Sequence, residues 1–341
     1  MNKSIINVLN GKSDEKPIWF LRQSGRHIPE YFEIRSKANN FIDFCLNKNL
    51  IVESTKLPLK YYRLDAAIIF SDILMIPWAM KRNLKFVESH GPVLTPMDPN
   101  ETYIEKKINI FQLLNPISDA IHTLKKELPN NISLIGFAGA PWTLACYMIE
   151  GKGSKDFIKT RTAVWQSKKW FSELIETLII YISQKLELQA KAGADVLMIF
   201  DSWSHMIPNT FFDDYGIKPT AKIIKILRSK NIQQPIIGFP FKAGSSLIKY
   251  SYESNVDCIA LDWSVNLDWA LSNLNKNIVF QGNLDPASLI PEKSKYLEEN
   301  VTSILNKMKN RRFIFNVGHG LTPECKIHNV RRVISIVKNF R

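Results

Sequence analysis

Short uninterrupted apolar runs, rich in Ile, Val and Phe, recur at residues 17–21, 66–70, 133–138, 196–200, 235–239, 258–261, 278–280 and 313–317. Each is too short for a helix, and each is apolar at consecutive positions, as a strand buried on both faces requires. Between them lie longer stretches, including 170–191, 221–230, 264–274 and 293–309, in which apolar residues return near the 3.6-residue period. That spacing lays one apolar stripe along a helix. Alternating strands and helices predict a parallel sheet, and eight such units predict an α/β protein of the (β/α)8, or TIM-barrel, type. No linker, low-complexity tract or repeat interrupts the pattern, so residues 1–341 are expected to form a single domain. The Pro-rich segment 91–99 reads as a loop thrown out from the barrel.

The residues that follow the runs carry the next inference. Arg22 and Gln23 follow the first, Ser71 and Asp72 the second, Gly139 the third, Asp201 and Ser202 the fourth, Lys242 the fifth, Asp262 the sixth, Gln281 to Asn283 the seventh, and Gly318 to Gly320 the eighth. In a barrel these positions share one mouth, the end where such folds place their chemistry. Any single strand must end in something polar; eight endings of this kind weigh towards a site.

Composition narrows the class. With 45 Lys and Arg against 32 Asp and Glu, the formal net charge is +13, which invites a polyanionic partner. The lysines are dispersed, and no basic block is interleaved with aromatics, so no nucleic-acid partner is expected. Four scattered cysteines at 45, 146, 258 and 325 form no C-x-x-C pair and no disulfide framework. The first sixteen residues lack an apolar signal region. The uncharged stretch 129–149 is broken by Asn, Gly and Pro and reads as strand, loop and helix rather than a membrane span. A cytoplasmic protein with no membrane association is the expectation.

Several clusters could carry chemistry. Arg22-Gln23-Ser24-Gly25-Arg26 puts two guanidiniums four residues apart around a small turn, and each can clamp a carboxylate through two parallel hydrogen bonds. Asp72 lies between apolar runs, where a desolvated carboxylate would act strongly on a cationic or N–H-rich ligand; a helix N-cap is the equally weighted alternative. Segment 136–151 runs from strand into helix with small residues that would let a ligand approach the backbone, and Tyr147 sits on that helix. His319, between two glycines, is the clearest histidine candidate. His319, Cys325 and His328 match no compact zinc spacing, so no metal is expected. There is no P-loop, dinucleotide fingerprint or G-x-S-x-G elbow.

These segments, together with Ile69 to Leu74, Phe200 to Trp203, Leu261 to Trp263, Gln281 to Pro286 and Asn316 to Gly320, resemble the uroporphyrinogen decarboxylase family in order along nearly the whole chain. Ser24 stands where that family usually has alanine, Phe32 where arginine is common, and Phe241 to Gly244 form an altered glycine-rich loop. The resemblance implies a carboxy-lyase of porphyrin and haem biosynthesis that uses no cofactor. It would remove carbon dioxide from the four acetate arms of uroporphyrinogen III to give coproporphyrinogen III. It also implies a homodimer. Arg22, Gln23, Ser24, Gly25, Arg26, Asp72, Tyr147, Ser202 and His319 would then contact substrate. Asp72, Arg22, Tyr147 and His319 would carry the catalytic roles, Asp72 holding the pyrrole N–H groups, with Arg22, His319 and a water held by Tyr147 as candidate sources of protons. A zinc-dependent corrinoid methyltransferase on a related barrel is the runner-up, though no H-x-C element is present.

Overall fold

Seven of the eight apolar runs fold as parallel strands in a computed structural model, which describes residues 3–87, 91–97 and 108–340. The strands are β1 (Ala66–Ile68), β2 (Ser133–Gly139), β3 (Val196–Asp201), β4 (Ile236–Pro240), β5 (Cys258–Ala260), β6 (Val279–Leu284) and β7 (Phe313–Val317), hydrogen-bonded in chain order. Residues of β2 and β4 to β7 are buried throughout, which explains why their sequences show no polar alternation. Helices pack around them. The longest, Lys169–Ala192, stops at Gly193, whose φ of +116° suits only glycine.

The first run departs from the expected eighth strand. Its sole ladder contact is an isolated bridge between Ile18 and Phe315 of β7. The cause lies in where its N–H groups go. Pro17 has none, Ile18 donates to the Asp65 carboxylate (2.7 Å), Phe20 to Gln23 Oε1 (3.1 Å) and Leu21 to Asn316 Oδ1 (2.9 Å). Side chains have taken most of the ladder's donors, only Trp19 N reaching a strand carbonyl, Phe315 O at 3.3 Å, yet the segment still closes the ring. One edge meets β7 through Phe315 N to Pro17 O (2.8 Å), and the other meets β1 through Asp65 N to Ile18 O (2.9 Å). The fold is therefore an α/β barrel whose first position is filled by an irregular segment.

A recurring clamp holds the end away from the mouth. Asp65, Asp195 and Asp257 each stand just before β1, β3 and β5. Each carboxylate accepts an N–H from the start of the preceding unit: Ile18 (2.7 Å), Leu134 (2.8 Å) and Ile236 (2.7 Å). Each is also paired with basic side chains, Lys338 for Asp65, Lys3 and Lys125 for Asp195, and Arg228 for Asp257. The three-fold recurrence places residues 17–21 in a true strand position.

Segment 91–99 is only partly the loop expected from its prolines. Gly91–Val93 pairs antiparallel with Lys85–Val87, with Pro92 opposite Phe86. A two-stranded ribbon leaves edges free, so a residue without an N–H is tolerated there. Asp98 and Pro99 lie outside the described residues. Stretch 129–149 divides as its composition predicts, into β2 and the helix Pro141–Glu150, and among the described residues no helix is long and apolar enough to cross a membrane. All four cysteines are buried and free.

Candidate active site

The carboxyl ends of the strands supply one wall each. Asp72 lies four residues beyond β1, half-buried, with Oδ1 accepting the Leu74 N–H at 2.8 Å. It thus steadies its own turn, while the helix that follows, Met75–Ala79, has no side-chain cap. Burial raises its carboxyl pKa, and the Leu74 N–H, Lys185 and Arg22 pull it back. The carboxylate is therefore desolvated but held among donors and cations, a poised negative charge rather than a surface acid.

Arg22 is exposed on the turn after residues 17–21, with a left-handed φ of +57°. Its charge reaches Asp72, Tyr147 and His319, opposing the upward push of burial on the first two and adding to the downward push on the third. These three therefore share one electrostatic neighbourhood with it. Tyr147, half-buried on Pro141–Glu150, has its phenol pKa raised by burial and by the Asp72 charge, so it is a neutral hydrogen-bonding group at ordinary pH. His319 is pushed down to about 4, first by burial and then by Arg22 and Lys242, with Asp262 opposing. A neutral imidazole is the form that meets a ligand. Ser202 is half-buried at the end of β3.

The Arg22 to Arg26 segment divides into two roles. Arg26 is exposed, whereas Gln23 is fully buried. Its Nε2 donates to Ala66 O (3.0 Å) and its Oε1 accepts from Phe20 N, so both ends of the amide are engaged in closing the barrel. The Ser24 hydroxyl donates to Ser54 O at 2.7 Å. Gly25 has no room for a side chain, since a Cβ would lie 2.9 Å from Arg22 O. Ser24 and Gly25 thus shape the turn that presents the arginines.

The glycines of 136–151 make room for protein rather than ligand. A Cβ on Gly136 would meet Gln189 Oε1 at 2.7 Å, one on Gly139 would meet Leu144 Cδ2 at 2.8 Å, and one on Gly151 would meet Pro96 Cγ at 2.6 Å. Two acidic strand endings are also internal. Asp201 is buried, accepts the Thr143 hydroxyl at 2.6 Å and is pushed up to about 7 by burial. Asp262 accepts the main-chain N–H groups of Lys242 and Ser264, both at 2.9 Å.

Residues 1–340 match the family model described as uroporphyrinogen decarboxylase. The chain belongs to that family. Similar proteins include the uroporphyrinogen decarboxylases of Brucella canis, 39% identical over 339 residues with 99% of each chain covered, and of Rickettsia rickettsii, 41% identical over 338 residues with 99% of this chain and 97% of that one covered. Among solved structures, a methyltransferase from Methanosarcina mazei aligns over 98% of this chain and 97% of its own, with a TM-score of 0.78 at 14% identity. A putative vitamin-B12-independent methionine synthase from Listeria monocytogenes aligns over 96% of both chains with a TM-score of 0.58, also at 14% identity. These two likenesses are of fold.

In this uroporphyrinogen decarboxylase family member, Trp203, His205, Phe241 and Trp263 join the residues expected at the mouth. Rings follow one another around it: Tyr147 to Trp203 (6.0 Å between centroids), Trp203 to His205 (5.8 Å), His205 to Phe241 (5.8 Å) and Phe241 to His319 (4.9 Å), with Trp263 6.0 Å from His319. Lys242 adds a cation over Trp263 (4.9 Å) and Phe241 (5.4 Å). The sequence signal for this arc was present, one aromatic or imidazole after each of several strands, but aromatics near strand ends are far more often core. Among the described residues no three His, Cys, Asp or Glu side chains converge as a metal site.

Proposed function

We propose that this chain decarboxylates the four acetate arms of uroporphyrinogen III to coproporphyrinogen III, in porphyrin and haem biosynthesis, and that Asp72 is the centre of the reaction. Family membership supports the reaction class; the observation that carries the residue assignment is a desolvated carboxylate at a barrel mouth ringed by aromatic faces and by exposed cations. A macrocycle with four pyrrole N–H groups and eight carboxylates is complementary to that arrangement. Its N–H groups would donate to Asp72, its carboxylates would meet Arg22, Arg26 and Lys242, and its rings would lie along the aromatic arc.

The chemistry follows from the substrate's own electrons. Protonating a pyrrole ring carbon makes an iminium-like cation, which the Asp72 carboxylate stabilises. The bond between the acetate methylene and its carboxylate then breaks, its electron pair flows into the ring, and carbon dioxide leaves. The resulting exocyclic enamine takes a proton on its methylene to become methyl, and the ring carbon gives its proton back. One proton has replaced one carbon dioxide, without oxidation, so this reading needs neither metal nor organic cofactor. Neutral Tyr147 and His319, with Ser202, orient the carboxylates and hydrogen-bond to the water or guanidinium that delivers protons. His319 is not the acid of the free enzyme, because its imidazolium is disfavoured.

The same proposal takes the chain as one barrel domain, cytoplasmic and paired with a second copy, with a small-molecule rather than a nucleic-acid partner. An anaerobic assay of purified protein with reduced uroporphyrinogen tests it: carbon dioxide release and conversion to coproporphyrinogen are expected, before and after dialysis against chelator. No conversion, or conversion abolished by removal of bound zinc, would transfer the assignment to the methyltransferase chemistry of its fold neighbours.

A further inference from the structure

Lys185 lies in the third quarter of the long helix Lys169–Ala192 and is only 1% exposed, which is rare for an ammonium. Lysines ordinarily extend to water along their methylene stems. This one turns inward, donating to the main-chain carbonyl of Asp72 at 3.3 Å and lying 5.3 Å from the centroid of the Phe137 ring. No carboxylate forms an ion pair with it at contact distance among the described residues, so its charge is spent on the Asp72 segment and on an aromatic face.

We infer that Lys185 is a positioning residue for Asp72: its ammonium fastens the Asp72 main chain from behind and keeps a positive charge on the side of the carboxylate away from the mouth. The inference rests on the assignment of Asp72 made above. The groups that act electrostatically on or with Asp72 are Arg22, Lys185, Tyr31, Cys45 and Tyr147; those that act on Lys185 are Asp72 and Cys45. Of these, two are cations. Arg22 is exposed and would be neutralised by a substrate carboxylate, which leaves Lys185 to sustain the charge on Asp72 once the site is full. Burial pushes the Lys185 ammonium down to about 8, with Asp72 and Cys45 opposing, so it remains mostly protonated at neutral pH. A buried ammonium costs more than an apolar side chain of the same size, so stability alone does not account for it.

Three variants separate the possibilities, each measured for the pH profile of kcat and for melting temperature. In Lys185→Met the acid limb of kcat should move up by about one pH unit, the scale of one lost neighbouring charge, and kcat below that limb should fall about tenfold. Its melting temperature should hold or rise, opposite to what a merely structural role predicts. Lys185→Arg, which keeps the charge, should keep the wild-type limb; Lys185→Gln repeats the neutral case if the Met variant is insoluble. An acid limb unmoved in the neutral variants, or moved equally in Lys185→Arg, overturns the inference. Asp72→Asn in the same assay tells the two failures apart: full turnover there would remove the Asp72 assignment itself, whereas loss of turnover with an unmoved Lys185→Met limb would remove only the role of Lys185.

Discussion

Gly320 is the floor on which the Arg22 side chain rests: a Cβ at position 320 would stand 2.2 Å from Arg22 Cδ and 2.5 Å from its Cγ. Those atoms lie in the middle of the side chain, so the guanidinium could not keep its place by bending only its tip. Leu321 N to Leu21 O (2.9 Å) ties the two loops together at the same point. The glycine after His319 is therefore a requirement of an arginine nearly three hundred residues away.

Gly320→Ala should accordingly behave as a partial Arg22→Ala. KM for uroporphyrinogen is expected to rise about tenfold or more in both, the order associated with breaking a charged contact in a cleft. Melting temperature should change little. Unchanged KM in Gly320→Ala would mean that Arg22 does not bind substrate from the position described.

Lys242 offers a parallel test on the opposite rim. Its main-chain N–H is fixed by Asp262, its φ is +56°, and its ammonium lies over Trp263. Lys242→Ala should raise KM for the octacarboxylate, with a smaller effect on substrates already relieved of some acetates, because one cation fewer then matters less. Removing Lys242 also takes away a charge that depresses His319, so the imidazole should titrate at higher pH in this variant, readable by NMR.

Two histidines that the fold holds neutral predict acid lability. His27, stacked on Tyr62 with neither ring nitrogen hydrogen-bonded, is pushed down to about 4 by burial, as is His319 by burial and its cationic neighbours. The folded state disfavours their protonation relative to the unfolded chain. Their contribution to stability is therefore full above about pH 6.5 and is lost as pH falls from there towards 4. His27→Phe should flatten this fall in melting temperature. An identical pH dependence in wild type and variant would show that His27 is not held neutral by the fold.

The barrel clamp predicts the reverse pattern, stability without catalysis. Asp65→Ala leaves the Ile18 N–H without its acceptor and frees Lys338, at a cost of about 1–3 kcal/mol for an unsatisfied buried donor. A lower melting temperature is expected. KM and kcat at a temperature where the variant is folded should remain near wild type.

Much of this was readable from residues alone. Buried parallel strands announce themselves as continuous apolar runs, and Arg22, Asp72, Ser202 and His319 follow the carboxyl ends of those runs as the pattern predicts. A glutamine beside two arginines looks like a ligand contact; only the path of the Phe20 and Ala66 main chains reveals that the Gln23 amide also bridges neighbouring segments of the ring. The glycines of 136–151 misled for a related reason. Sequence shows that something comes close, but not whether it is ligand or, as here, Gln189, Leu144 and Pro96. Lys185 was invisible, since one lysine in an amphipathic helix reads as surface until its direction is known. The irregular first segment could not be told from a strand because its apolar content is that of its neighbours, and its N–H partners lie far away in sequence.

The central claim is that the negative charge of Asp72, not its shape, drives decarboxylation. Asp72→Asn keeps an oxygen able to accept the Leu74 N–H and removes a desolvated charge, so fold and melting temperature should be preserved or improved. Asp72→Glu, with its charge moved by about one methylene, should show intermediate activity. The decisive measurement is the anaerobic rate of carbon dioxide release from uroporphyrinogen by Asp72→Asn. A fall of about a hundredfold or more, the scale set by losing one preorganised electrostatic partner of a transition state, with an unchanged melting temperature, is the result predicted. Release at the wild-type rate would contradict the account and return Asp72 to the status of a turn-stabilising residue.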